Sequence, residues 1–263
     1  IVERNAHLAH REDEDVCEGL ETLFRDEGVE VALNAQITQI EGKSGASVKV
    51  RLMQAGSEHV VEATHLLVSA GRTPNTDGIG LDLAGVALTA RGQIKVNERL
   101  ETTATDIWAV GDCAGSPNFT HVAHDDFRIV RDNLAGGHRV TTGRQVPYCM
   151  FTDPELGRIG LSEREAQEQG IAYRLTKLPM MGFPRPNTLS ETRGFMKALI
   201  ETDGDRILGF TVFGVGAGEI IAVVQVAMLA GLPYTTLRDA IFTHPTLPEA
   251  LGFLFANVPP RSH

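Results

Sequence analysis

Asp106-Ile-Trp-Ala-Val-Gly-Asp112 is the stretch that decides the fold class. Its apolar run, residues 107–110, is too short for a helix and reads as a buried strand. The strand stops at Gly111-Asp112, so a residue without a Cβ and a carboxylate arrive together at its C-terminal end. In open α/β sheets ligands bind outside the carboxyl ends of the strands. Gly111 would let a ligand approach the main chain, and Asp112 would accept from its hydroxyl groups. An ordinary strand-to-loop turn explains the same residues, so the reading depends on what surrounds them.

Upstream, Leu66-Leu-Val-Ser-Ala-Gly-Arg-Thr-Pro-Asn75 repeats the device: residues 65–70 read as a buried strand ending at Gly71, with Pro74 in the following turn. Downstream, Ser116-Pro-Asn-Phe-Thr-His121 leads into a helix over 121–134, with Val122, Phe127, Ile129, Val130 and Leu134 apolar and Gly136-Gly137 closing it. Thr120 would cap that helix, and its N-terminus carries a partial positive charge suited to an anionic group. A further strand is expected over 93–97.

The segment before it, residues 1–75, is strand-rich. Val16, Leu20, Leu23 and Phe24 recur at helical spacing and Gly28 ends the run; strands follow over 29–40, 47–53 and 59–63. Residues 144–263 change style and read as a separate α+β domain. Ser162-Glu-Arg-Glu165 is a capping box for a short helix ending at Gly170. A strand is expected over 172–178. Residues 194–201 and 206–215 flank Thr202-Asp-Gly-Asp205, a hairpin signal, and the nearly all-apolar run 217–230 reads as a buried helix.

The most chemically suggestive segment is Phe242-Thr-His-Pro-Thr-Leu-Pro-Glu249. A carboxylate beside an imidazole fixes which ring nitrogen carries the proton, as a general base requires. Thr246-Leu-Pro-Glu249 is also a capping box with proline in the first turn, opening a helix on Leu251, Leu254, Phe255 and Val258. Both readings stand at this point.

Composition narrows the classes. The 263 residues carry a net charge of -10, which argues against non-specific nucleic-acid binding. No run has the uninterrupted apolar length of a membrane span, and no signal peptide is visible. Cys17, Cys113 and Cys149 lie far apart, with neither redox nor zinc spacing, so reduced thiols in a cytoplasmic protein are expected. His121 and His124 lack the partners a metal site needs, and no metal is expected.

Motif order and spacing resemble one family, the class I pyridine nucleotide–disulfide oxidoreductases: lipoamide dehydrogenase, glutathione reductase, mercuric reductase and relatives. The resemblance runs through Ala63–Asn75, Thr105–Asp112, Val146–Glu155 with Ile159–Glu163, and the His244–Glu249 segment. It implies an α/β fold of incomplete FAD- and NAD(P)-binding Rossmann-type domains, residues 1–75 and 76–143, followed by an α+β interface domain, 144–263. It implies FAD and NAD(P)H as cofactors. Gly111 and Asp112 would bind the ribityl chain. Phe119, Thr120 and His121 would lie near the flavin pyrimidine edge. Ala70 and Gly71, at the end of the strand leaving the nicotinamide domain, would border the cofactor.

Glu3 matches the acidic position that bonds the adenine ribose, which favours NADH, although adjacent Arg4 could pair with a 2′-phosphate. His244 would activate a dithiol and Glu249 would orient it, in the partner subunit's site, so a homodimer through 144–263 and a small-molecule or disulfide substrate are implied. Mercuric reductases carry Tyr where His244 stands and end in a Cys pair; this chain has neither. Phe127–Asp132, Ala230–Tyr234 and Leu237–Pro245 most resemble a bacterial branch near the reactive-chlorine-resistance flavoprotein. The family's N-terminal flavin half, with its Gly-x-Gly-x-x-Gly and redox Cys pair, has no counterpart here, and Ile1 reads as mid-strand. A C-terminal portion of a larger enzyme is therefore expected; a non-catalytic dimerisation module is the alternative.

Overall fold

A computed structural model describes residues 1–261 of the chain; Ser262 and His263, the end of the expected 144–263 domain, lie outside them. The chain forms two compact units. One takes in Ile1–Val68 together with the chain from Pro147 onward, and the other is Ser69–Val146.

The first unit begins with α1 (Glu14–Asp26), which buries Val16, Leu20 and Leu23 of the predicted stripe and leaves its fourth member, Phe24, half-buried. An antiparallel meander follows: β1 (Ala35–Lys43), β2 (Ser47–Gln54) and β3 (Ser57–Ala63). Only β2 keeps an alternating inward face, Val48, Val50 and Leu52. Residues 29–34, expected to continue the first strand, form only a parallel bridge between Val2 and Ala32.

In the second unit the regular elements are a 3₁₀ turn at Gly111–Ala114 and α2 (Thr120–Leu134). The three strands expected nearby do not form. Residues 65–70 are irregular, with Leu67 88% exposed. Residues 93–97 and 106–110 contribute only isolated bridges, Leu88 to Ile94, Val96 to Thr102 and Glu101 to Trp108. A buried strand needs a hydrogen-bonded neighbour on each side, and among the described residues no strand runs beside these segments.

The rest of the first unit is a five-stranded antiparallel sheet, made of β4 (Tyr148–Met150), β5 (Leu156–Gly160), β6 (Tyr173–Pro179), β7 (Phe195–Glu201) and β8 (Ile207–Phe213), in the order β4-β5-β8-β7-β6. Its helices are α3 (Glu163–Glu168), α4 (Pro184–Leu189), α5 (Ala217–Leu229), α6 (Tyr234–Asp239) and α7 (Glu249–Ala256). The capping box forms: Ser162 Oγ accepts the Glu165 N–H at 3.1 Å, and the Glu165 carboxylate accepts the Ser162 N–H at 2.9 Å. The β7–β8 hairpin turns through residues 202–206 as its sequence predicts.

α5 departs from expectation. Ile220, Ile221, Val224 and Ala227 are buried against the sheet, but Val226 and Leu229 on the other side are exposed. The helix is nearly all apolar, yet one chain covers one face.

α1 also packs against this sheet. Val16, Leu20 and Leu23 pack with Leu156, Phe195 and Phe213, and a Cβ at Gly19 would come within 2.9 Å of the Phe213 ring. An ionic cluster joins the same elements. Lys197 on β7, with no exposed surface, places Nζ 2.7 Å from Asp13 and Asp15 and 2.8 Å from Glu163.

Candidate functional site

His244 sits on a turn that the core holds at both ends. Phe242 and Leu247 pack against the main hydrophobic cluster, and Ala250, Leu251, Leu254 and Phe255 anchor α7 in it. Between these anchors the His244 side chain is 67% exposed. Its Nδ1 lies 2.9 and 3.0 Å from the two oxygens of Glu249. An ionised carboxylate only accepts, so Nδ1 carries the proton, and Nε2 of the neutral ring is left as an acceptor.

The two readings of Glu249 separate here. The helix begins at Glu249 itself with Pro248 as N-cap, and Thr246 Oγ1 donates to the Thr243 carbonyl at 2.6 Å. The capping box does not form, because the glutamate is turned to the histidine.

The residues expected around a flavin lie in the second unit. Gly111 has φ +71, a conformation that glycine adopts without strain, and a Cβ there would meet Ala123 Cβ at 3.1 Å. Asp112 follows, its carboxylate 52% exposed and 4.0 Å from Arg72 Nη1. α2 starts one residue earlier than expected: Phe119 is the N-cap, without a side-chain bond, and Thr120 is the first helical residue. The Phe119 and His121 rings stack at 5.2 Å. An outward-facing carboxylate beside a helix N-terminus suits a hydroxyl-bearing chain attached to an electron-rich ring. Ala70 and Gly71 are exposed loop residues in this unit.

Glu3 belongs to the first unit. It exchanges backbone hydrogen bonds with residues 32 and 35, and its Oε1 accepts from Asn5 N at 2.8 Å and Asn5 Nδ2 at 2.6 Å. The Asn5 backbone N–H, helped by its amide and opposed by burial, holds the Glu3 carboxyl below its ordinary range. The shift favours the carboxylate anion, and Arg4 beside it is exposed.

The cysteines read as packed thiols. Burial first, then Glu12 and Glu21, pushes Cys17 up to about 11; burial, then Glu155 and Glu219, does the same for Cys149. Asp13, Asp15 and Glu163 place carboxylate oxygens within 4.8 Å of one another, and the Lys197 ammonium sits among them. No described helix is long and apolar enough to cross a membrane.

Among the buried charged residues that escaped the sequence reading, Lys197 and Asp126 have no exposed surface at all. The signal for Asp126 was present: it stands four residues after Val122 and three before Ile129, on the apolar stripe of its own helix. Lys197 stands within a run of buried positions, Phe195 to Ile200.

Comparison with known proteins agrees with this geometry. The family model described as "Pyridine nucleotide-disulphide oxidoreductase" matches residues 1–126, and that of the "Pyridine nucleotide-disulphide oxidoreductase, dimerisation domain" matches residues 146–254. The probable pyridine nucleotide-disulfide oxidoreductase RclA of Escherichia coli is 41% identical over 98% of this chain and 58% of its own length. Mercuric reductase of Streptomyces lividans is 33% identical over 94% of this chain and 52% of its own. The solved structure of RclA, described as an HOCl-induced flavoprotein disulfide reductase, superposes with a TM-score of 0.90 at 39% identity, over 98% of this chain and 59% of that one. The chain thus spans less than two thirds of the relatives it matches. With a Gly-Asp on the turn before a helix start, a His–Glu pair on an anchored turn and both family models matched in order, the chain belongs to the pyridine nucleotide–disulfide oxidoreductases.

Proposed function

We propose that this chain works as part of a flavin-dependent oxidoreductase that passes electrons from NAD(P)H through FAD to a redox disulfide, and from there to a small-molecule or disulfide substrate. The observation that carries the reading is the His244–Glu249 pair: an exposed imidazole whose Nδ1 is bonded to a carboxylate, so that Nε2 is not the nitrogen the carboxylate holds. A thiol meeting Nε2 loses its proton to it, and Glu249 stabilises the imidazolium that forms. Cys17, Cys113 and Cys149 lie far apart in sequence without redox spacing, and burial pushes the Cys17 and Cys149 thiols up to about 11, so none of them is assigned as that thiol. FAD bound there would supply the two-electron transfer between a nicotinamide and a disulfide. Asp112 would accept hydrogen bonds from the hydroxyls of its ribityl chain. Phe119, Thr120 and His121, at the positive end of α2, would stabilise negative charge on its pyrimidine edge. Glu3 would accept hydrogen bonds from the adenine ribose hydroxyls, and its charge would repel a 2′-phosphate, which supports NADH.

A homodimer through residues 144–263 is part of the proposal. Val226 and Leu229 on α5, with Ile241 and Phe253, leave large apolar side chains exposed, as an interaction surface does. His244 of one protomer would then face the dithiol of its partner. A dimerisation module without catalysis is the weaker reading, because the family match also covers residues 1–126.

The test is direct. The full-length protein, purified without added cofactor, should be yellow, release FAD on denaturation and bleach when NADH is added without oxygen. A colourless protein that yields no flavin sinks the proposal.

A further inference from the structure

Asp126 lies on the inward face of α2 with none of its surface exposed. A carboxylate taken out of water is costly unless both oxygens are bonded. Here both are: Oδ2 accepts the Gly111 N–H at 2.7 Å, and Oδ1 accepts from Arg144 Nη1 at 2.5 Å. Arg144 reaches on to Ser116 Oγ at 3.4 Å, and the Ser116 N–H donates to the Gly111 carbonyl at 3.3 Å. One buried charge therefore grips the turn that carries Asp112 at its entry and, through Arg144, at its far end. The grip is needed because Gly111, at φ +71, has no side chain to hold it and a wide choice of backbone conformations.

We propose that Asp126 is a positioning residue of the flavin site: with Arg144 it locks the 111–116 turn so that the Asp112 carboxylate meets the ribityl hydroxyls without reorganisation. The inference rests on the flavin reading above. Asp112 makes the contact; Asp126 fixes where Asp112 points, and affinity is lost when such support is removed.

The experiment compares Asp126→Asn with Asp132→Asn in the full-length protein, reading the FAD dissociation constant by fluorescence and the thermal midpoint with and without FAD. Asparagine keeps the shape of Asp126 but offers an N–H₂ where Gly111 N–H or Arg144 requires an acceptor. Asp132, on the same helix, pairs with Arg131 and Arg139 rather than with Gly111 or Arg144, so its substitution removes a comparable charge away from the turn. Asp126→Asn should weaken FAD binding by about 10- to 100-fold, the usual effect of losing a group that orients a ligand's contacts. The FAD-induced rise in midpoint should shrink with it. Asp132→Asn should stay within about 3-fold of wild type, a modest loss expected of a partly exposed ion pair. If Asp126→Asn does not fold, Arg144→Lys carries the same expectation, since it keeps the charge and loses the fork. Wild-type FAD affinity in Asp126→Asn, or in Arg144→Lys where that stands in, overturns the inference; so do equal losses in the Asp126 and Asp132 variants. A wild-type protein that binds no FAD overturns the flavin reading and this inference together.

Discussion

His244→Ala in the full-length protein should slow the dithiol half-reaction by about 10²- to 10⁴-fold, the range a positioned general base supplies, while flavin reduction by NADH keeps its wild-type rate. The split follows from the geometry. Nε2 is the basic atom the pair presents, and alanine removes it without disturbing the turn, because Phe242, Leu247 and the buried side of α7 hold the segment. Glu249→Gln keeps an acceptor for Nδ1–H but removes the charge that stabilises the imidazolium, so it should show a smaller loss in the same half-reaction. Rapid-mixing absorbance measurements separate the two halves, and loss confined to one of them identifies which step a side chain serves. Equal slowing of both would contradict the base assignment.

Lys197→Met should cost about 3–5 kcal/mol of stability, the usual consequence of stripping the partner from buried charges. Lys197 is fully buried, and removing its ammonium leaves Asp13, Asp15 and Glu163 facing one another. Burial alone raises the Asp13 and Asp15 carboxyls, but Lys197 and their other hydrogen-bond donors outweigh it and hold both below their ordinary range. Burial alone lowers Lys197, and the carboxylates outweigh it in turn.

The sign follows. The depressed aspartates contribute stability above about pH 4, lost as pH falls through their folded values; the raised lysine contributes below about pH 10, lost as pH climbs through its own. The cluster is therefore at full strength between those limits. In Lys197→Met the crowded carboxylates gain from protonation, so the deficit against wild type should narrow from pH 7 to pH 4.5. Denaturant unfolding at the two pH values reads this, and a deficit under 1 kcal/mol at pH 7 would mean that the cluster is not under the strain described.

Local chemistry was legible in the sequence wherever its partner was close by. The Ser162 capping box, the hairpin turn at 202–206 and most of the stripe of α1 formed as read, because the groups that satisfy them stand within a few residues. Residues 65–70 and 106–110 misled because an apolar run specifies a strand only beside another strand. For Glu249 the sequence offered two partners, a backbone N–H and an imidazole, and distances decided for the imidazole. Lys197 was hidden because its carboxylates come from α1 and α3, far away in sequence. The exposed side of α5 was hidden for a related reason: hydrophobicity reports that a face will be covered, not whether the same chain covers it.

In the proposed function, electrons pass beyond the flavin to a disulfide served by His244. Anaerobic titration of the full-length protein with NADH, following flavin absorbance and reactive thiols together, tests that directly. The protein should take up more reducing equivalents than its flavin holds, and a new pair of thiols should appear for each flavin. A flavin that bleaches fully while the thiol count stays constant would contradict the proposal.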